Sequence, residues 1–244
     1  AIQNFYKTGY IHNHIRMYLA AINCNFAKSH WKLPAQWMYY HLLDADWASN
    51  ALSWQWVAGS NSNKKYIANQ ENINRYCFTK QTQTFLDKSY EALTQMDTPD
   101  ILLDISSLEL RTTLPKNKEI KIENALPTYV YNFYNLDPNW KKESKANRVL
   151  LLEPSHFAEY PISAKTIEFM LTLGEKNIPD LKIYVGEFGD FKKKYNLNKI
   201  YFKEHPLNKH YQGIEEPREW MFDVQGYFPS FFSFWKKCKK QLYS

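Results

Sequence analysis

The segment from Thr8 to Ser60 constrains this chain more than any other. It reads Thr-Gly-Tyr-Ile-His-Asn-His-Ile-Arg-Met (8–17), Ser-His-Trp-Lys-Leu-Pro (29–34) and Leu-Leu-Asp-Ala-Asp-Trp-Ala-Ser-Asn-Ala-Leu-Ser-Trp-Gln-Trp-Val-Ala-Gly-Ser (42–60). Five of the eight tryptophans fall between Trp31 and Trp56. Arg16, Asp44, Asp46 and several asparagines accompany them. A core fills well with apolar side chains alone, whereas each buried amide or carboxylate without a partner costs about 1–3 kcal/mol. The polar set therefore asks for a large planar ligand rich in donors and acceptors.

The periodicity of the first half is helical. Tyr10, Ile11, Ile15, Tyr18, Leu19 and Ile22 keep an i, i+3/i+4 rhythm that predicts a helix over 10–27, with Asn13 and Arg16 on one face. Pro34 permits a helix start, and 35–46 continues through Trp37, Tyr40, His41 and Leu43. Asp44 and Asp46 fall at its end or just beyond, where they can project into a loop-lined cavity. Ala48 to Ala58 predicts a further helix, ended by Gly59 and the polar run 60–65. Residues 69–92 predict a polar loop and a helix near Thr84–Leu93. Segment 94–128, with Pro99, Pro115 and Pro127, predicts a connector with one short strand near 119–122.

The texture then changes. Tyr129–Tyr134 is an aromatic, β-prone run, and Lys141 to Lys145 is a charged break. Val149–Leu152 predicts a buried strand, followed by a helix over 162–175. A strand at Leu181–Val185, a helix near 190–195 and a strand at Lys199–Phe202 complete the series. Such alternation predicts a small parallel sheet with crossover helices, a three-layer α/β unit. No Gly-x-Gly-x-x-Gly follows the first strand, so a dinucleotide fingerprint is absent.

Composition supports a folded chain: 44% of residues are hydrophobic, 17% aromatic and 23% charged. Three cysteines, Cys24, Cys77 and Cys238, lack metal-ligand spacing and cannot all pair, so a reduced, cytoplasmic protein is the simplest expectation. No apolar run approaches the ~20 residues of a membrane helix, and no signal peptide opens the chain. Residues 1–90 carry nine Lys or Arg against four acids, most of the net charge of +6. A phosphate-backbone partner would favour that excess, although on charge alone an ordinary basic surface is the preferred reading.

The Thr8–Ser60 stretch resembles the second half of the flavin-binding domain of the DNA photolyase/cryptochrome family. That family shows Thr-Gly-(Trp/Tyr)-x-His-Asn-Arg-x-Arg-Met, then a tryptophan, then Asp-Gly-Asp-x-Ala-x-Asn-x-x-x-Trp-Gln-Trp, and order and spacing agree without a gap from Asn13 to Trp56. The resemblance implies FAD as cofactor and DNA with pyrimidine dimers as partner. It also implies an upstream half of the flavin domain that precedes Ala1. The aromatic end at 226–237 is similar to the stretch closing the family's amino-terminal α/β antenna domain, which implies a permuted order; a terminal amphipathic helix is the equal alternative. The expected organisation is thus a partial helical FAD-binding domain over 1–93, a connector over 94–128 and an α/β domain over 129–244, an α + α/β class.

The resemblance also implies roles. Asn50 matches the residue beside the flavin N5, where an amide can both donate and accept. Arg16 and Asp44 match a pair set against the ring edge, Asp46 a second acid accepting from the cofactor, and Asn13 a cofactor-contacting amide. Trp54 and Trp31 match the inner and middle members of an electron-transfer chain. Tyr10, Met17 and Trp56 match the lining of the damaged-base pocket. Two departures stand out: Ala45 replaces a glycine, and His14 replaces an arginine that would meet a DNA phosphate, which weakens the expectation of tight DNA binding. The implied activity is light-driven repair, with a cryptochrome-like FAD photosensor as the alternative. Elsewhere, His205 and His210 have no third metal ligand spaced nearby, which favours a surface role. Ser155-His156 lacks the nucleophile-elbow pattern of a hydrolase.

Overall fold

Residues 1–61 and 63–242 are described by the computed structural model; Ser62, inside the polar run, and residues 243–244 lie outside the described residues. The helical part opens with α1 (Ile2–Thr8), closed by Gly9 in the left-handed region. A side chain at Gly9 would be strained there, and its Cβ would meet Leu43 Cγ at 2.6 Å. Helix α2 (Asn13–Ala21) starts three residues later than its apolar rhythm predicts, because His12 acts as N-cap and its side chain accepts from the His14 amide. A π-turn over Ile22–Phe26 extends it. Helix α3 (Lys32–His41) stops at Leu42, whose backbone is extended. Asp46 caps α4 (Trp47–Ala58), and Gly59 ends it in the left-handed conformation that glycine supplies at no steric cost.

The expected helix near Thr84–Leu93 is confined to its end, and a further helix forms where a polar loop was expected. Asn69 caps α5 (Gln70–Cys77), residues 84–87 form a turn through Asp87 N to Thr84 O, and Ser89 caps α6 (Tyr90–Thr94). The sequence Gln-Glu-Asn-Ile-Asn-Arg-Tyr-Cys of α5 is too polar for periodicity to reveal it. No strand forms at 119–122; Ile120 and Ile122 instead pack their side chains against one face of the sheet core.

Five parallel strands follow: β1 (Thr128–Tyr131), β2 (Asn147–Leu152), β3 (Leu181–Val185), β4 (Ile200–Lys203) and β5 (Ile214–Glu216), in the order β3-β2-β1-β4-β5. Short β5 and helix α7 (Pro154–Glu159) are additions to the expected elements. Helices α8 (Ala164–Asn177), α9 (Phe188–Lys194) and the terminal α10 (Phe231–Gln241) complete the chain. The side-chain period of two divides each central strand between two cores. Tyr129, Tyr131, Leu150 and Leu152 face one core with α7 and α8, while Val130, Val149, Leu151 and Phe202 face the other with α9. Burial on both faces explains why Val149–Leu152 is a continuous apolar run. The α + α/β class holds, with the sheet parallel throughout.

The two parts meet along the end of α3. Tyr39 belongs to the sheet-side core, the Ser163 amide donates to Tyr40 O at 2.9 Å, and the Tyr39 and Tyr134 hydroxyls lie 3.2 Å apart. Among the described residues no helix is long and apolar enough to cross a membrane.

Candidate functional site

Helices α2 and α4 pack on one another, and the loop 42–46 joins α3 to α4 beside them. Arg16 reaches across from α2: its Nη2 donates to both Asp44 oxygens at 3.1 Å and its Nε to Ile11 O at 2.9 Å. The pair lies at the surface, with the Asp44 side chain 58% exposed and Arg16 25%. A guanidinium fixed by two partners but open on one edge is set to meet a further polar group.

Asp46 accepts from the Ser49 amide at 2.7 Å through Oδ1. The spacing 46, 50, 54 then places Asp46, Asn50 and Trp54 along one stripe at the start of α4. Asn50 donates to Ala35 O at 2.8 Å, which tethers α4 to α3 and fixes the amide's orientation. Trp54 is only 1% exposed, and its indole N–H is buried without a hydrogen-bond partner among the described residues. Trp31 packs half-buried against the same apolar cluster, so the two indoles share one core. Asn13, exposed on α2, donates to Met17 Sδ at 3.9 Å.

Arg16 and Asp44 thus pair between α2 and the loop, while Asp46 and Asn50 lie one turn apart at the start of α4. The base-pocket set is more scattered. Tyr10 is exposed in the turn before α2, and Trp56 is exposed on α4 with its ring 5.7 Å from Tyr66. His14 is stacked between His12 at 5.1 Å and Tyr76 at 4.8 Å, with Nδ1 buried and unpartnered. Ala45 turns its methyl into packing against both the helical and the sheet-side cores.

A residue set that spacing does not reveal lies across the loop. Trp47 packs edge-on to Tyr39 at 5.5 Å and tilted on Tyr160 at 5.6 Å. A cavity of about 230 Å³ separates Asp44, Ala45 and Asp46 from Phe133, Tyr134 and Met170. Contacts between positions a hundred residues apart carry no sequence period, so no local pattern could have announced them.

At the carboxyl ends of the strands a second polar cluster forms. Glu153 Oε1 accepts from the Phe188 amide at 3.0 Å and lies 2.8 Å from His210 Nε2, while Oε2 accepts from Tyr211 at 3.1 Å. His205 stacks on Tyr134 at 4.9 Å, and no group of three metal-capable side chains occurs among the described residues. Burial lowers the His156 pKa to about 4. A histidine held neutral in the fold and protonated in the unfolded chain makes stability fall as pH drops from about 6.5 toward 4, by roughly 2 kcal/mol once partial exposure is allowed for. His156→Gln is expected to flatten that slope in urea titrations across this window.

Residues 1–101 match the FAD binding domain of DNA photolyase. This segment belongs to that family. A deoxyribodipyrimidine photo-lyase of Agrobacterium fabrum (strain C58 / ATCC 33970) is 39% identical over 59 residues, which cover 24% of this chain and 12% of that protein. No solved structure matches the chain. The photolyase-type segment makes FAD its cofactor. The donor set on α2 and α4 fits such a group. Arg16 and Asp44 pair at the surface, Asp46 uses only Oδ1 as cap, and Asn50 keeps its carbonyl oxygen without a donor among the described residues.

Proposed function

We propose that this chain serves in flavin-dependent DNA photolyase chemistry, with residues 1–93 forming one wall of the FAD site as a partial FAD-binding domain, 94–128 a connector and 129–244 an α/β domain. The observation that carries the proposal is the bidentate Arg16–Asp44 pair, which joins α2 to the loop leading into the Asp46–Asn50–Trp54 stripe. A structural ion pair alone has no need of a fixed amide four residues past the second acid.

Reduced FAD, when bound, supplies light-driven donation of one electron to a cyclobutane pyrimidine dimer, which splits and returns the electron. The chain's own residues hold and orient it. Arg16 offers positive charge to the ring edge, Asp44 fixes the guanidinium, Asp46 accepts from the cofactor through the oxygen not used as cap, and Asn13 and Asn50 supply amides. Trp54 and Trp31 offer oxidisable indoles within one apolar cluster. Tyr10, Met17 and Trp56 are the side chains proposed to meet a lesion that is already poorly stacked and cheap to extrude.

The test is to load the protein with FAD, reduce it, illuminate it with DNA bearing thymine dimers and quantify restored thymines. Bound, reduced flavin with no restoration would end the repair proposal. A second reading, an FAD photosensor that signals through a partner, draws support from His14, an imidazole locked in a ring stack where a cation would meet phosphate. Photoreduction without repair would favour it.

A further inference from the structure

The five-residue loop 42–46 carries both acids and lies between the helical and the sheet-side cores. Asp44 touches Arg16, and Asp46 caps α4. On the helical side the loop is pinned by the Leu43 amide donating to Gly9 O at 3.0 Å. The Leu42 amide also donates to Met38 O at 3.1 Å, the Leu42 side chain is buried in the helical core, and Ala45 packs on both cores. Further supports come from residues more than ninety positions away. Thr166 Oγ1 donates to Leu42 O at 3.4 Å, the Ser163 amide to Tyr40 O at 2.9 Å, and the Tyr39 hydroxyl meets Tyr134 Oη at 3.2 Å. Trp47, directly after Asp46, packs on Tyr160. The residues bracketing the acids therefore take neighbours from both the helical and the α/β parts.

Connecting loops with few buried contacts open locally at little free-energy cost. A face that meets a rigid ring must instead be ordered before the ligand arrives, because ordering it afterwards subtracts from affinity. We infer that the α/β part, through Tyr134 and Thr166, is the positioning element of the acidic loop, so that an intact flavin face on α2 and α4 requires the carboxyl-terminal sheet. Tyr134 is well placed for this, since its ring also stacks on His205 beside the carboxyl ends of β1 and β4. The cofactor consequence rests on the proposed FAD site; the ordering of the loop does not.

Hydrogen exchange on the full chain separates the two. The Ser49 and Asn50 amides, which donate to Asp46 Oδ1 and Asp46 O, and the Leu43 amide report loop order directly. In the double variant Tyr134→Phe/Thr166→Val these three amides are expected to exchange about tenfold faster, while Val149 and Leu151 of β2 keep their protection. Replacing Thr166→Val by Thr166→Ser beside an intact Tyr134 should restore the original rates. In FAD titrations the double variant should bind several-fold more weakly, with a shifted flavin absorption band. Unchanged exchange in the double variant would overturn the inference, as would equal loosening of β2, which marks general destabilisation. Faster loop exchange in a protein that takes up no FAD would uphold the positioning role and defeat the flavin site instead.

Discussion

Asp44→Ala will lower FAD affinity by about ten- to a hundred-fold, the equivalent of losing a hydrogen-bonded charge pair worth 1.5–3 kcal/mol. Arg16 Nη2 contacts both Asp44 oxygens, and only the Nε bond to Ile11 O would continue to orient the guanidinium. A long cationic side chain freed at one end samples other rotamers, and fixing it again on the flavin edge costs conformational entropy. Folding stability will change by under about 1 kcal/mol, because an exposed ion pair contributes little against solvent screening. Asp44→Asn, which keeps shape but loses charge, will fall between the two. Flavin fluorescence titration alongside thermal melting measures both quantities. Affinity equal to that of the parent protein would remove this pair from the cofactor face.

Glu153→Ala will destabilise the sheet part by roughly 2–5 kcal/mol, the cost of leaving buried donors without an acceptor. The carboxylate is 8% exposed and collects the Phe188 amide, the Tyr211 hydroxyl and His210 in one place. It ties the end of β2 to the start of α9 and to the segment after β4. Glu153→Gln retains one acceptor and the volume, so it will lose about half as much. Urea denaturation followed by near-ultraviolet circular dichroism would show it. A loss below 1 kcal/mol would mean that water replaces the carboxylate without penalty.

Much of the fold could be read from the chain because its signals are local. Leu181–Val185 is found as a strand with the expected bounds, since a short apolar run between Pro179–Asp180 and Gly186 leaves few alternatives. Gly59 ends α4 where a glycine after an apolar helix should. Polar helix α5, by contrast, is held by Asn69 at its start and by Gln70 donating to Asn74, signals that hydrophobic periodicity does not register. At 119–122 a β-prone pattern forms no strand, and its isoleucines pack against the sheet core. The spacing of Asp46, Asn50 and Trp54 fixed their common face in advance, whereas the ring stack around His14 depends on Tyr76, sixty residues on.

The amino-acid order by itself determined α2, α4, α8 and the alternation of β2, β3 and β4 with helices, the family of residues 1–101 and the candidate polar residues, because capping, period and motif spacing act between neighbours in the chain. Only the tertiary structure decided that the loop bearing Asp44 and Asp46 rests against Tyr134, Ser163 and Thr166. Contacts of that range follow from how two cores meet in space, and packing at such a distance leaves no trace in the order of residues on either side.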